Sequence, residues 1–248
     1  MEVAVERVGY RAIADGVRGL IDSGELGAGD RVPSENELMA TYGVEQPTAR
    51  RALEVLKNEG LIVARRGAGT FVREFRPYRR VSPDRLRSWG AGTSIWAADD
   101  ERRPVVAGVE VAEELPPGHI GRALDLADGD LVLVRRRSYV VEGKPIQLAE
   151  TYYPAELVRG SRIAEPDTGP GGAYARLADL GAAPVRFREE LRSRMPREEE
   201  RKALDLAQGT PVICVVRTAY TADGTPVEVN EMTLDAGSYV LEYHFTAE

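Results

Sequence analysis

The sequence predicts an α+β protein in two parts: a helix-rich N-terminal segment at 1–74 and a sheet-bearing C-terminal segment at 84–248, joined by a linker at 75–83. Three observations carry this expectation. Apolar residues recur at three- and four-residue steps through much of 10–56, as on one face of a helix. Short apolar stretches bounded by Gly and Pro follow, which is the pattern of strands and turns. A stretch of the C-terminal half occurs twice.

The first helix rests on Tyr10, Ile13, Val17, Leu20 and Ile21, and the Gly-rich turn after Gly24 stops it. In "VPSENELMATYGV", Ser34 followed by Glu37 has the spacing of a capping box. It predicts a short helix over about 35–42, with Gly43 as its left-handed stop. A third helix begins three residues later, with Pro47 tolerated in its first turn. There Ala49, Ala52, Leu53 and Leu56 form one apolar stripe, Pro47, Arg51 and Glu54 point away from it, and Gln46 and Arg50 lie on the flank. "GLIVARRGAGTFVR" then reads as two strands, about 61–65 and 70–73, around an Arg-Arg-Gly tip. Two helices around a tight Gly turn, with polar groups at the start of the second, followed by such a hairpin, have the form of a winged helix-turn-helix. Taken alone, Arg50 can equally be a solvated helix charge paired with Glu54 four residues on.

With 248 residues and 43% hydrophobic content, the chain can build two ordinary cores. Its longest apolar runs fall far short of the ~18–20 residues of a membrane-spanning helix. Glu2, Glu6, Arg7, Arg11 and Arg18 interrupt the first twenty residues, so no signal-peptide core is expected and the protein reads as cytoplasmic. The single cysteine, Cys214, excludes an internal disulfide and a cysteine metal cage, and its Ile-Cys-Val-Val setting suggests a core thiol. The formal charge of -7 is uneven, near neutral over 1–80 and acidic beyond. Any contact with a polyanion must therefore depend on where the arginines sit.

The linker stretch "REFRPYRRVSPDR" is basic, has two prolines and lacks an apolar period. Beyond it, "ALDLADGDLVLVRRRSYVVEGKPIQLAE" from Ala123 reappears as "ALDLAQGTPVICVVRTAYTADGTPVEVNE" from Ala203. The two copies match Gly129 with Gly209, Arg137 with Arg217, Pro145 with Pro226 and Glu150 with Glu231. Each copy reads as a helix end, a Gly turn, a long strand, a second turn and a second strand. Two such units predict one antiparallel sheet with pseudo-twofold symmetry and a cleft for a small molecule at the seam.

"VPSENELMATYGV" with "TARRALEVLKNEGLIVARRGAGTFV" resembles the winged helix-turn-helix of the GntR family of bacterial transcription regulators. The resemblance implies contacts to double-stranded DNA from Ser34, Asn36, Gln46, Thr48, Arg50 and Arg51, and from Arg66 and Gly67 of the wing in the minor groove. Asn36, where the family has a long basic residue, and Glu45-Gln46, where it has Ser or Thr then Arg, imply a base preference of their own: Glu accepts from cytosine and Gln pairs with adenine. The repeat, the linker and "GKPIQLAETYYPAEL" resemble the UTRA effector domain of the HutC subfamily, whose fold is similar to chorismate lyase. That resemblance implies effector contacts from Arg137, Tyr174 and Glu228, with Tyr139, Glu150 and Tyr152 beside them, and a phosphate-holding loop at 90–96. Because Tyr139 replaces a second Arg, a less anionic effector, aromatic or amphipathic, is expected.

His119 and His244 have no metal-ligand neighbours in sequence, and no nucleophile elbow, Walker-type loop or dinucleotide fingerprint occurs. No catalytic residue, metal or cofactor is therefore expected. The reading is a homodimeric repressor on a pseudo-palindromic operator, released by an effector. Its rivals are a lyase-like enzyme and a DNA-binding protein without an effector.

Overall fold

The computed structural model describes residues 8–74, 77–82, 86 and 102–244. The chain divides into two compact units, Met1–Arg76 with Leu206–Thr210, and Pro77–Asp205 with Pro211–Glu248.

The first unit opens with α1 (Tyr10–Asp22), α2 (Glu35–Tyr42) and α3 (Gln46–Asn58), followed by an antiparallel hairpin of β1 (Ile62–Arg65) and β2 (Gly69–Val72). Each boundary has a local cause. Ser34 and Glu37 form the reciprocal capping box. Gly43 ends α2 at φ 63°, a conformation an L side chain resists. Ile13, Val17, Leu38, Ala49, Ala52, Leu56, Ile62 and Val72 close one core between the helices and the hairpin. That core consumes the apolar stripe of α3 and leaves its opposite side in solvent.

The second unit is built on a six-stranded, wholly antiparallel sheet. Its strands are β4 (Val105–Glu114), β5 (Val132–Val141), β6 (Lys144–Pro154), β7 (Arg186–Arg194), β8 (Val212–Tyr220) and β9 (Pro226–Asp235), in spatial order β4-β5-β6-β9-β8-β7. The order is palindromic about the β6–β9 seam, where the repeat mates Glu150 and Glu231 are register partners. The structural repeat is longer than the visible sequence repeat, because β4 with α4 (Gly118–Ala123) corresponds to β7 with α7 (Glu198–Ala203). Asp125 and Asp205 both turn left-handed after these helices, and both long strands carry a register shift at matching places, after Tyr139 and after Ala219. Between the halves lie α5 (Ala155–Val158) and α6 (Gly172–Asp179).

Residues 78–82 depart from the linker expectation. They form β3 (Tyr78–Ser82), which pairs in parallel with β10 (Tyr239–Tyr243). Tyr78, Arg80 and Ser82 alternate inward while Arg79 stays exposed, so a stretch that reads as a solvated basic linker is a half-buried strand.

Candidate nucleic-acid interface and effector site

In the first unit, the N-terminal turn of α3 presents Gln46 and Arg50 to solvent, with Thr48 half-buried beside them. Both are held by Glu35, in the first turn of α2: Gln46 Nε2 donates to Oε2 at 2.9 Å, and Arg50 donates through Nε to Oε1 at 3.1 Å and through Nη2 to Oε2 at 3.3 Å. Arg50 is thus hydrogen-bonded across the turn to Glu35, and not to Glu54 as helical spacing alone suggests. Bonds from Arg50 and then Gln46 hold the Glu35 carboxyl below its usual range. The arginine is 57% exposed, and an ion pair so open to water is worth only ~0–1 kcal/mol. A phosphate or base edge can therefore take Arg50 from Glu35 at little expense.

The other predicted DNA contacts divide by environment. Asn36 is exposed on α2, whereas the Ser34 hydroxyl already accepts from the Glu37 backbone amide at 3.3 Å in the capping box. Arg51 stacks 4.3 Å from the Tyr10 ring centroid, a cation–π contact with α1. At the hairpin tip Arg66 and Gly67 are exposed, Gly67 takes φ 73° and Gly69 φ 113°, and Arg65 stacks on Phe71 at 4.6 Å. Sequence reasoning missed Glu35, whose role depends on the packing of two helices, and gave no role to Arg65, the first residue of the Arg-Arg-Gly tip.

In the second unit the pleat sorts the predicted effector residues onto two faces. Strand pairing places Arg137 opposite Ala149, and Tyr139 opposite Gln147, on one face. Glu150 and Tyr152, one residue out of phase, belong to the other. The expected set therefore does not converge as a whole. Ala149 stands opposite Arg137, and the neighbouring Glu150 cannot reach it because successive side chains point to opposite faces of a sheet.

On the Arg137 face lies a buried polar cluster. Glu228, 2% exposed, accepts from Tyr153 Oη at 2.7 Å and from Tyr174 Oη at 2.9 Å. Arg137 Nη2 donates to Thr151 Oγ1 at 2.5 Å. Arg217, the repeat mate of Arg137, is buried with an Nη2 atom 3.9 Å from Glu228 and an Nη1 atom 3.9 Å from Glu189. Glu189 is itself bonded twice by the fully buried Arg80. Arg135 donates through its two Nη atoms to the backbone carbonyls of Ile163, Glu165 and Pro166, while its buried Nε has no hydrogen-bond partner. Burial, then the nearby Glu228 charge, pushes the Tyr153 phenol well above its ordinary value, so it remains a hydrogen-bond donor.

On the opposite face, Tyr152 Oη donates to Glu150 at 2.5 Å, and His119 on α4 lies 3.0 Å from Glu231. A cavity of about 500 Å³ opens there, lined in part by His119, Glu150, Tyr152, Arg192, Cys214 and Glu231. The 90–96 loop, expected to hold a phosphate, lies outside the described residues. Among the described residues, no group of three or more His, Cys, Asp or Glu side chains could hold a metal ion, and no helix is long and apolar enough to cross a membrane.

A capped helix-turn-helix with an arginine-tipped hairpin, and in the same chain a pseudo-symmetric sheet domain with a buried polar cluster, define the class: a protein with a module of the DNA-reading kind and a second, sheet-built domain. Comparisons with known proteins resolve it further. Residues 9–72 match the model of bacterial regulatory proteins of the gntR family, and residues 100–239 match the UTRA domain. Over 88% of this chain and 86% of its own length, the HTH-type transcriptional regulator SCO4628 of Streptomyces coelicolor is 32% identical. The mannosyl-D-glycerate transport/metabolism system repressor MngR of Escherichia coli is 27% identical over 93% of this chain and 92% of its own. A crystal structure described as a GntR-family transcriptional regulator superposes with a TM-score of 0.67 at 25% identity, covering 98% of this chain and 99% of that one. The chain belongs to the GntR family, in its architecture of helix-turn-helix plus UTRA domain, a family of transcriptional regulators and not of enzymes.

Proposed function

We propose that this regulator is a cytoplasmic homodimeric repressor that binds a pseudo-palindromic operator and leaves it when a small-molecule effector enters the UTRA domain. The observation that carries the reading is the pair Gln46 and Arg50, exposed at the open N-terminal turn of α3 and anchored to the half-buried Glu35. Side chains at that position of a second helix reach base edges in the major groove. Arg66 and Gly67 follow the adjacent minor groove, Asn36, Thr48 and Arg51 touch the backbone, and Ser34 contributes by fixing the start of α2. Few basic groups are available per protomer, so two protomers on half-sites about one helical turn apart supply the affinity that one lacks.

In the second unit, Arg137, Tyr139, Tyr174 and Glu228 form the effector site, while Glu150 and Tyr152 shape the opposite face. Repression is supported by the name of the similar MngR, a repressor. An effector that binds the DNA-incompetent arrangement more tightly shifts the balance by ~1–3 kcal/mol, enough to release an operator 5- to 150-fold. Footprinting the full chain on the DNA upstream of its own gene tests the reading. Two protected segments in successive major grooves support it, and protection independent of duplex sequence refutes it.

A further inference from the structure

The sequence leads to a weakly anionic effector because Tyr139 stands in place of a second arginine. The buried cluster points elsewhere. Arg217 is 3% exposed, and its Nε and Nη1 atoms have no hydrogen-bond partner. Arg137 Nε and Asn230 Oδ1 on the same face are likewise unpartnered. The two carboxylates near Arg217 are engaged elsewhere: Glu228 by Tyr153 and Tyr174, and Glu189 by Arg80. Both lie 3.9 Å from the guanidinium, beyond hydrogen-bond range. A guanidinium taken out of water without a bonded counter-charge is a strongly unfavourable element unless something else completes it.

We propose that Arg217 is the second anion-binding arm of the effector site, and that the effector carries an oxyanion, a carboxylate or a phosphate, seated between Arg137 and Arg217. The two arginines are repeat mates on β5 and β8, and the central strands link them: Arg137 donates to Thr151, Thr151 is the register partner of Asn230, and Asn230 is the register partner of Arg217. The pseudo-twofold replaces the arginine missing at 139 with one from the other half of the domain. Their three unpartnered nitrogens suit the acceptor oxygens of an oxyanion, whose charge-assisted bonds are the strong ones. This inference rests on the reading of that face as the effector site.

The test is thermal unfolding of the full chain, with sodium phosphate or sodium acetate replacing sodium chloride at constant ionic strength. Saturation by the matching anion raises the unfolding midpoint of the wild-type protein by roughly 4 °C or more. A response to phosphate alone identifies a phosphorylated effector, and a response to acetate identifies a carboxylate. Arg217→Gln abolishes the response while leaving the anion-free midpoint unchanged or higher, an outcome that a structural arginine does not produce. Arg217→Lys preserves the charge without the fork, guards against misfolding of the first variant, and weakens anion binding roughly tenfold. Arg50→Ala retains the full response, which separates this site from phosphate at the DNA-reading face. No response in the wild type, or an unchanged response in both Arg217 variants, overturns the proposal. Operator binding measured in chloride alone is independent of this result, so failure of the regulator reading is recognised separately.

Discussion

The Arg80–Glu189 pair offers a sharp quantitative test, because it joins the strand that follows the DNA-reading unit in sequence to the sheet of the second unit. Arg80 is fully buried, donates twice to Glu189 and once to Ser82 Oγ at 2.9 Å, and lies on β3. Its partner's side chain is only 11% exposed and also stands near Arg217. Glu189→Gln removes the negative charge and leaves two buried guanidinium groups facing a neutral amide. Breaking a buried pair in this way costs about 3–5 kcal/mol. For a domain of this size, that lowers the unfolding midpoint by roughly 6–20 °C. Arg80→Met with Glu189→Leu leaves less uncompensated charge and is expected to be milder than the sum of the single changes by about 2 kcal/mol or more. Urea unfolding of five proteins, the four of this cycle and Glu189→Gln, supplies both numbers. If Glu189→Gln changes stability by less than about 1 kcal/mol, Arg80 has water as its partner and β3 is not secured by the pair.

Other consequences are accessible to simpler measurements. Arg50→Ala should weaken operator binding at least about tenfold in gel shifts while barely moving the melting curve, since the Glu35 contact it loses is solvent-exposed. Ser34→Ala deletes half of the capping box and should destabilise the first unit by about 1 kcal/mol in urea unfolding, and an unchanged midpoint would show that the box contributes nothing. Hydrogen bonds from Arg194 hold the Glu200 carboxyl below the ordinary value of 4.5. Its folded value lies below its unfolded one, so this stabilisation is present above about pH 4.5 and disappears as pH falls through the folded value. The acid limb of stability against pH should accordingly flatten in Arg194→Gln, and an unchanged limb would remove Glu200 from the explanation.

The elements most legible in the sequence are those whose cause is local. The capping box at Ser34, the stop at Gly43 and the stripe Ala49–Leu56 are complete within a few residues, and α2 and α3 begin where those signals place them. The repeat was equally visible because 123–150 and 203–231 share spacing as well as residues, and it anticipated the palindromic sheet. Contacts made across elements were not legible. Glu35 holds Arg50 from fifteen residues away, a separation without meaning in helical periodicity. Residues 78–82 looked like linker because a fully buried arginine is rare enough for Arg80 to read as solvated. The family resemblance sets Glu150 and Tyr152 beside Arg137, although a strand's period of two sends them to the other face. Arg217 was in view as the mate of Arg137, and the repeat was the signal that could have nominated it.

The central claim is that the N-terminal turn of α3 reads duplex DNA, and base-resolution footprinting with a Gln46→Ala, Arg50→Ala double variant tests it most directly. The account predicts that the wild-type chain protects two segments whose centres lie about 34 Å apart along the duplex, and that the variant loses this protection while retaining the wild-type melting curve. Protection of the same bases by the folded variant, at the same concentration, would contradict it.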